Sequence, residues 1–363
     1  MIFKYPIISS HWELMSFPNG DIFFNNISGK HASIKKSSDV IKEILYLCDG
    51  EKSIEEIQGD LRGKGFNINI DTINKLLSSL SLEGIIVENI EKDLPKWMTS
   101  ELYSRYKTLI SAFEIFDNSS LTALESFEKI RNAKIGIIGL GGTGSMLTMM
   151  LAASGATNLR LIDGDKVDIS NLVRQIFYSP NSVGRFKTEI IKERLLEFSP
   201  DIEVEIYSEY LNCYEDALRF TKGLDFIFMQ ADAPRFLLNR WVNKACVELK
   251  IPYIYCFSGQ VGPIYIPGKS ACFNCLESHM NAKLNESYKP IINELQKSRT
   301  RQYPSNVTGI TLASHYQYLD AIALITGKSE PVTKNSILRL GGQNLISKEE
   351  IEFLENCEIC GLG

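Results

Sequence analysis

The stretch GLGGTGS, residues 139–145, directly follows the apolar run KIGII of residues 134–138. The glycines fit the pattern G-x-G-x-x-G between a predicted strand and a predicted helix. Glycine permits a tight turn and lets the backbone approach a phosphate group at the helix N-terminus. Gly139, Gly141, Gly142 and Gly144 are therefore predicted to bind a nucleotide. This motif alone does not separate a dinucleotide cofactor from ATP.

Strand-like and helix-like segments alternate from Lys134 onward, which predicts an α/β fold with a doubly wound, largely parallel sheet. Apart from the run before the glycine loop, the predicted strands are LRLID, IEVEIY, LDFIFMQ, IPYIYCF and VGPIYIPG. The predicted helices are TGSMLTMMLAASG, which ends at Gly155, KTEIIKERLLEF and APRFLLNRWVNKACVEL.

Polar and charged residues follow the strand after the glycine loop. Asp163 ends that strand, where a carboxylate is placed to bind a ribose hydroxyl. Asn171, Arg174 and Gln175 come next, and Lys187 begins the following predicted helix. An Arg and a Lys near a phosphate loop suit a triphosphate and disfavour a dehydrogenase. The alternative is that both cations are surface residues paired with acids.

Asp232 follows the predicted strand LDFIFMQ, at a carboxyl end where ligands bind in open α/β sheets. Magnesium prefers oxygen ligands together with substrate phosphates, so this carboxylate is a candidate Mg²⁺ ligand. A second interpretation, compatible with the first, is that Asp232 caps the helix that follows.

Four of the eight cysteines form two Cys-x-x-Cys pairs, Cys272/Cys275 and Cys357/Cys360. Four thiolates match a closed, tetrahedral, structural Zn²⁺ site, which leaves no position for catalytic water. His279 is a competing ligand that a full set of four cysteines makes unnecessary. Redox chemistry of one pair is the alternative.

The first 92 residues predict a small winged-helix (α+β) domain. Helical periodicity covers residues 38–48, Ser53 and Glu56 form a capping box, and Asp71 is predicted to cap a third helix. Strands are predicted at DIFFNN and IIVEN. Residues 93–131 are predicted to be a helical connector, and residues 132–363 the nucleotide-binding domain.

The charge of this first region disfavours DNA binding. Residues 1–100 contain 11 Lys and Arg against 14 Asp and Glu, which gives a net charge of −3. We therefore interpret the region as a module that docks an extended peptide. A purely structural appendage is the alternative.

The whole chain of 363 residues has a formal net charge of −5, so no general attraction to nucleic acid or to anionic membranes is expected. The sequence has no apolar run of the ~18 residues that a membrane span needs, and the N-terminus lacks the long apolar stretch of a signal peptide. These features predict a cytoplasmic protein.

Taken together, GLGGTGS, the DxD…SNLxRQ stretch, the lysine of VGRFK, the aspartate of QAD and the two Cys-x-x-Cys pairs resemble the ubiquitin-activating-type adenylyltransferases, the family of ThiF, MoeB and MccB. The resemblance covers about residues 105–363. GPIYIPGKSACFNC and TGKSEP are most similar to the peptide-modifying branch of microcin C and pantocin A biosynthesis. The N-terminal region resembles the elements that recognise leader peptides.

The resemblance implies a role for each matching residue. Asp163 would bind the ATP ribose, Asn171, Arg174 and Lys187 the phosphates, and Asp232 would hold Mg²⁺. Gln175 would support the same loop. A homodimer is also implied.

Family members carry an Arg-Tyr-x-Arg-Gln segment whose second arginine reaches the phosphates bound by the partner subunit. Here the segment reads Arg105-Tyr106-Lys107-Thr108-Leu109, so Thr108 replaces that arginine. A contact to the phosphates of the partner subunit would then require Arg105 or Lys107 to take the place of the missing arginine.

The resemblance predicts ATP-dependent adenylation of a carboxylate on a ribosomally made precursor peptide during antibiotic biosynthesis, giving an acyl adenylate and pyrophosphate. The product is then either a nucleotidyl peptide or a peptide dehydrated and cyclised through glutamate side chains. The alternatives are an adenylyltransferase for a sulfur-carrier or ubiquitin-like protein, and a non-catalytic scaffold that binds leader peptides.

A thioester step is not expected, because no cysteine lies between Cys275 and Cys357. The polar segment of residues 284–306 offers Lys289, Arg299 and Arg301 to acidic groups of a substrate.

Overall fold

The computed structural model describes residues 3–114, 122–234, 236–257, 259–297, 305–340 and 346–361. The chain divides into two compact units, residues 1–123 and residues 124–363. Arg299 and Arg301 lie outside the described residues. No helix among the described residues has the length and apolar character needed to cross a membrane.

The first unit combines small antiparallel sheets with helices. Its elements are β1 (Pro6–Ile8), β2 (Trp12–Ser16), β3 (Ile22–Asn26), β4 (His31–Ile34), α1 (Asp39–Leu47), α2 (Ile54–Gly63), α3 (Ile70–Leu82), β5 (Ile86–Glu88) and α4 (Ser100–Glu114). Strands β2, β3 and β4 form one antiparallel sheet, and β1 pairs with β5. The three helices α1–α3 bury one apolar face each against these strands.

Local capping explains where two of these helices begin. Ser53 and Glu56 form the predicted capping box at the start of α2. The predicted cap at Asp71 is wrong, because the Asn69 side chain accepts the N–H of Thr72 and Asp71 lies in the first turn of α3. Asn and Asp are both favoured at the N-cap, and α3 begins two residues earlier than the sequence predicted.

The second unit is the predicted α/β domain. Its elements are α5 (Ala123–Asn132), β6 (Lys134–Ile138), α6 (Gly142–Ala153), β7 (Asn158–Ile162), α7 (Lys187–Phe198), β8 (Glu203–Tyr207), α8 (Tyr214–Thr221), β9 (Phe226–Met229), α9 (Leu237–Glu248), β10 (Tyr253–Phe257), β11 (Gln260–Val261), α10 (Phe273–Lys283), α11 (Tyr288–Lys297), α12 (Val307–Thr326), β12 (Ser336–Leu340) and β13 (Ile346–Glu350).

These strands form one eight-stranded sheet in the order β13-β12-β11-β10-β9-β6-β7-β8. The five strands from β10 to β8 are parallel, and the three at the other edge are antiparallel. The predicted fold class, a doubly wound Rossmann-like domain preceded by a small α+β unit, is confirmed. Strand β6 lies between β9 and β7, so the strand order runs outward from β6 in both directions. In open α/β sheets a ligand crevice is expected at the carboxyl end of the strands at such a point.

Candidate nucleotide and metal sites

The glycine loop connects β6 to α6 at this carboxyl end. Gly139 has φ +91°, which favours glycine, and a side chain there would lie 2.6 Å from the backbone nitrogen of Ala231. A Cβ on Gly144 would lie 1.9 Å from the Gly139 oxygen. Gly139 and Gly144 are therefore required for packing of the loop.

Gly141 differs from these two glycines. Among the described residues, a Cβ there would have one neighbour within 4 Å, the Gln175 amide nitrogen at 3.8 Å. Gly141 also precedes α6 as its N-cap residue without any capping side chain. Gly142, the first residue of α6, is instead covered, since a Cβ there would lie 2.3 Å from Ile310 Cδ1. The open side of Gly141 at a helix N-terminus is the arrangement that binds phosphate in nucleotide folds.

Asp163 follows β7 and is held against the glycine loop. Its Oδ2 accepts the Leu140 N–H at 2.6 Å, and its Oδ1 accepts the Asp165 N–H at 2.7 Å. Burial raises the pKa of the Asp163 carboxyl above its ordinary value, and the nearby Lys187 ammonium and the two N–H donors offset this only in part. The carboxylate is therefore fixed at the end of the strand next to the loop.

Lys187 begins α7 and has only 5% of its surface exposed. Its ammonium donates to Asp165 Oδ2 at 2.7 Å and lies 4.0 Å from Asp163 Oδ2. A buried ammonium needs such a partner, because desolvation of an unpaired charge is costly. The structure therefore brings Lys187 close to Asp163 and pairs it with Asp165.

Gln175 is buried, and its Oε1 has no hydrogen-bond partner among the described residues. Its amide nitrogen is the atom nearest to the open side of Gly141. Native structures rarely leave a buried polar atom unsatisfied, so this orphaned atom fits a group supplied by a ligand or by ordered water. Gln175 is thus placed beside the glycine loop.

Asn171 and Arg174 lie on the segment between β7 and α7. The Asn171 side chain accepts the Asp168 N–H at 3.1 Å in a capping box. The partly exposed Arg174 donates to the Ser170 carbonyl at 2.9 Å. Arg174 is therefore held by a backbone oxygen and not by an acid.

Asp232 is exposed and follows β9 by three residues. Its neighbour Ala231 lies against Gly139, so this segment borders the glycine loop. The interpretation of Asp232 as a helix cap is wrong, because α9 begins at Leu237 with Phe236 as its N-cap.

Two residues that sequence reasoning did not assign also belong to this site. Asp165 bridges Lys187 and the Tyr210 hydroxyl, which donates to Asp165 Oδ1 at 2.7 Å. The spacing of Asp163 and Asp165 in DGD was the available signal for Asp165, whereas nothing in the sequence pointed to Tyr210.

The four cysteines form a second site in the same unit. The sulfur atoms of Cys272, Cys275, Cys357 and Cys360 all lie within 4.8 Å of one another and are buried. Cys272 caps α10, which carries Cys275 in its first turn. Four thiols at this spacing match the donor set of a tetrahedral zinc site. His279 is not a competing ligand, since its Nε2 pairs with Glu349 Oε1 at 3.0 Å.

The residues of the Arg105–Leu109 segment lie on α4 in the first unit. Arg105, Lys107 and Thr108 are exposed, and the Arg105 guanidinium lies 5.3 Å from the centre of the Tyr106 ring.

The model of the ThiF family matches residues 117–358. The chain belongs to the ThiF family. The ThiS adenylyltransferase of Escherichia coli K12, named for a sulfur carrier protein, is 28% identical over 245 residues, which cover 66% of this chain and 90% of that protein. The resemblance inferred from the motifs is thereby confirmed.

Solved structures extend the similarity to both units. E. coli MccB, crystallised with AMPCPP and MccA, has a TM-score of 0.72 at 25% identity, covering 98% of this chain and 99% of that one. PaaA has a TM-score of 0.73 at 22% identity, covering 95% of this chain and 99% of that one. These neighbours are the proteins of the peptide-modifying branch that the sequence pointed to.

Proposed function

We propose that this protein is an ATP-dependent adenylyltransferase that activates a carboxylate on a ribosomally made precursor peptide. The observation that carries the proposal is the set of donors around one loop of a ThiF-family chain: the open side of Gly141, the Gln175 amide nitrogen beside it, and the buried Lys187 ammonium next to Asp163, which is bonded to the same loop. A triphosphate fits this set, because it accepts hydrogen bonds from the loop and from the ammonium.

Each side chain has a defined part in binding ATP. Asp163 is fixed so that it can accept a ribose hydroxyl. Lys187 and Arg174 face the phosphates, with Asn171 on the same segment, while Gln175 holds the loop beside Gly141. Asp232 would hold Mg²⁺, which, when bound, neutralises phosphate charge.

The reaction requires no protein nucleophile. A substrate carboxylate oxygen attacks the α-phosphorus in line, the bond from that phosphorus to the bridging oxygen breaks, and pyrophosphate leaves with the electron pair. Lys187 and Arg174 stabilise the charge that develops on the leaving group. Positioning and electrostatics therefore account for the step.

The first unit supports a peptide as substrate. The ThiS adenylyltransferase matches 66% of this chain, whereas the MccB structure with MccA covers 98%, so the first unit has a counterpart in MccB. We propose that this unit docks the leader part of the peptide and that the active protein is a homodimer. A cytoplasmic location belongs to the same proposal.

Two products are compatible with an acyl adenylate. An amide nitrogen of the peptide can attack the activated carbonyl carbon and expel AMP, and the resulting imide nitrogen can attack the α-phosphorus of a second ATP, giving a nucleotidyl peptide and pyrophosphate. Alternatively, activated glutamate side chains can lose AMP and cyclise with net loss of water.

Mass spectrometry of short peptides encoded beside the gene, incubated with the enzyme, ATP and Mg²⁺, tests the proposal. A gain of one nucleotide monophosphate indicates the first product, and a loss of water with AMP release indicates the second. A peptide that binds without any change or pyrophosphate release contradicts the enzyme proposal and favours a scaffold. Pyrophosphate release only with a small sulfur-carrier protein contradicts the peptide substrate.

A matched pair of variants links the activity to this site. Lys187→Ala is expected to lower pyrophosphate exchange about 10²- to 10³-fold, the cost of removing one preorganised charge donor. Arg185→Ala, two residues away, removes an exposed cation that pairs with Glu193 and is expected to leave exchange unchanged. Equal activity of the two variants would contradict the role of Lys187.

A further inference from the structure

Three side chains form a continuous hydrogen-bonded chain from the surface to the phosphate-binding lysine. The Tyr210 hydroxyl donates to Asp165 Oδ1 at 2.7 Å, and the Lys187 ammonium donates to Asp165 Oδ2 at 2.7 Å. Tyr210 is exposed, the Asp165 side chain is half exposed, and Lys187 is buried. Asp165 therefore uses both of its oxygens inside the protein.

The backbone holds Asp165 and Lys187 opposite each other. The Lys187 N–H donates to the Asp165 carbonyl at 3.0 Å, and the Val167 N–H donates to the Arg185 carbonyl at 2.9 Å. These backbone hydrogen bonds place the Cα atoms of Asp165 and Lys187 on neighbouring segments. The contact between the two side chains then depends on their rotamers.

Two carboxylates compete for the Lys187 ammonium. Asp163 Oδ2 lies 4.0 Å away and already accepts the Leu140 N–H. Without the charge of Asp165, a buried ammonium would turn toward Asp163, the remaining carboxylate. The pair with Asp165 keeps Lys187 off Asp163 and leaves two of its three N–H donors for phosphate oxygens.

Tyr210 fixes Asp165 from the other side. Its ring covers Gly164, where a Cβ would lie 2.7 Å from three ring atoms. Burial by itself would raise the pKa of Asp165, but hydrogen bonds from Lys187 and Tyr210 outweigh it and keep that pKa below its ordinary value. The same hydrogen bond to Asp165 raises the pKa of Tyr210 to about 12, so the tyrosine remains a donor at neutral pH.

We propose that Asp165 and Tyr210 are positioning residues that hold the Lys187 ammonium at the phosphate-binding position and away from the ribose-binding Asp163. This inference rests on the proposed function, because it concerns the same ATP site. Neither residue touches the reacting atoms; both act through Lys187.

Calorimetric binding of ATP and of adenosine to the full chain tests this inference without any peptide substrate. Asp165→Asn is expected to weaken ATP about 10-fold, and Tyr210→Phe about 3-fold, as for loss of a charged and of a single hydrogen bond. Adenosine binding is expected to change less than ATP binding, because adenosine has no phosphate for Lys187. Tyr207→Phe is the matched control, since it removes a hydroxyl that donates to Glu205, outside this chain of contacts.

A double variant separates positioning from general damage. In an Asp165→Asn background, Tyr210→Phe is expected to have no further effect on ATP binding, because the path from Tyr210 through Asp165 to Lys187 is already broken. Additive effects, unchanged ATP binding or tighter ATP binding in the single variants would each overturn the inference. A wild type that binds adenosine and ATP equally would overturn the role of Lys187 itself, and a wild type that binds neither would overturn the proposed function and this inference with it.

Discussion

The cysteine cluster and the nucleotide site lie in the same α/β unit, but only the nucleotide site contains protein groups that pair with its charged side chains. In the nucleotide site, Lys187 pairs with Asp165, and Arg174 donates to a backbone carbonyl. In the cluster, the sulfur atoms of Cys272 and Cys275 lie 3.8 and 3.5 Å from those of Cys357 and Cys360. Four thiolates at that distance repel one another unless a cation lies between them.

The difference indicates what each ligand does for the protein. In the nucleotide site the two cations, Lys187 and Arg174, already have partners within the protein, so ATP should bind to a folded protein. The cysteine cluster joins α10 to the segment after β13, and these two segments are far apart in the sequence. A metal bound there would therefore contribute directly to the stability of the fold.

Cys275→Ser gives the largest expected effect. The variant should lose bound zinc and melt at least about 10 °C lower, since loss of several kcal/mol shifts Tm by roughly 2–4 °C per kcal/mol in a domain of this size. Cys213→Ser is the control, because Cys213 is an N-cap of α8 outside the cluster and serine suits that position. Metal analysis and thermal unfolding measure both. Full zinc content in Cys275→Ser would mean that the cluster is not the metal site.

Alanine substitutions at Gly141 and Gly144 separate ATP binding from stability at the nucleotide site. Gly141→Ala should melt like the wild type, because the nearest atom to its Cβ is 3.8 Å away, yet raise KM for ATP about tenfold or more by filling the phosphate position. Gly144→Ala should instead lower Tm, because its Cβ would lie 1.9 Å from the Gly139 oxygen. An unchanged KM in Gly141→Ala would place the phosphates elsewhere.

The sequence predicted those parts of the molecule that depend on local pattern. Strand β6, helix α7 and the two Cys-x-x-Cys pairs follow from periodicity and spacing, and the structure contains them. Sequence spacing is sufficient to predict the cysteine cluster, because four cysteines in two Cys-x-x-Cys pairs are the usual ligand set of a tetrahedral zinc site.

The features that the sequence did not predict depend on contacts between segments that are distant in the sequence. Strand β2 mixes exposed and buried residues without clean alternation, and β13, with the sequence ISKEE, is almost entirely polar. Only Val261 of the predicted strand VGPIYIPG lies in β11, since Pro263 has no N–H for the ladder. The contact between Lys187 and Asp165 spans 22 positions and depends on how α7 meets the end of β7. Likewise, the burial of Gln175 cannot be read from a polar segment.

Gln175→Leu is expected to act on stability and on binding with opposite signs. Removing the unpartnered buried oxygen should leave Tm unchanged or raise it by a few degrees, because an unsatisfied buried acceptor costs about 1–3 kcal/mol. ATP binding should weaken a few-fold, since the loop loses a polar contact beside Gly141. Thermal unfolding with and without ATP measures both effects. A variant that loses Tm without ATP would mean that Gln175 is satisfied within the protein.

The smallest expected effect concerns an ion cluster that fastens β13 to α10, the helix that carries Cys275. Glu349 accepts from Lys283 at 2.6 Å, from His279 at 3.0 Å and from Arg339 at 2.9 Å. Burial by itself would raise the pKa of Glu349, but these three donors outweigh it and lower that pKa to about 2. Because the unfolded chain has a glutamate pKa of about 4.3, the stabilisation is fully present at higher pH and is lost as the pH falls from about 5 to 2.

Glu349→Gln should therefore lower Tm by a few degrees at pH 7, and the difference from the wild type should shrink below about pH 5. Glu350→Gln is the control, since the neighbouring carboxylate is 72% exposed and pairs with the partly exposed Lys348. Thermal unfolding from pH 7 to pH 3 gives the comparison. If the Glu349→Gln difference were as large at pH 3 as at pH 7, packing and not charge would hold β13 to α10.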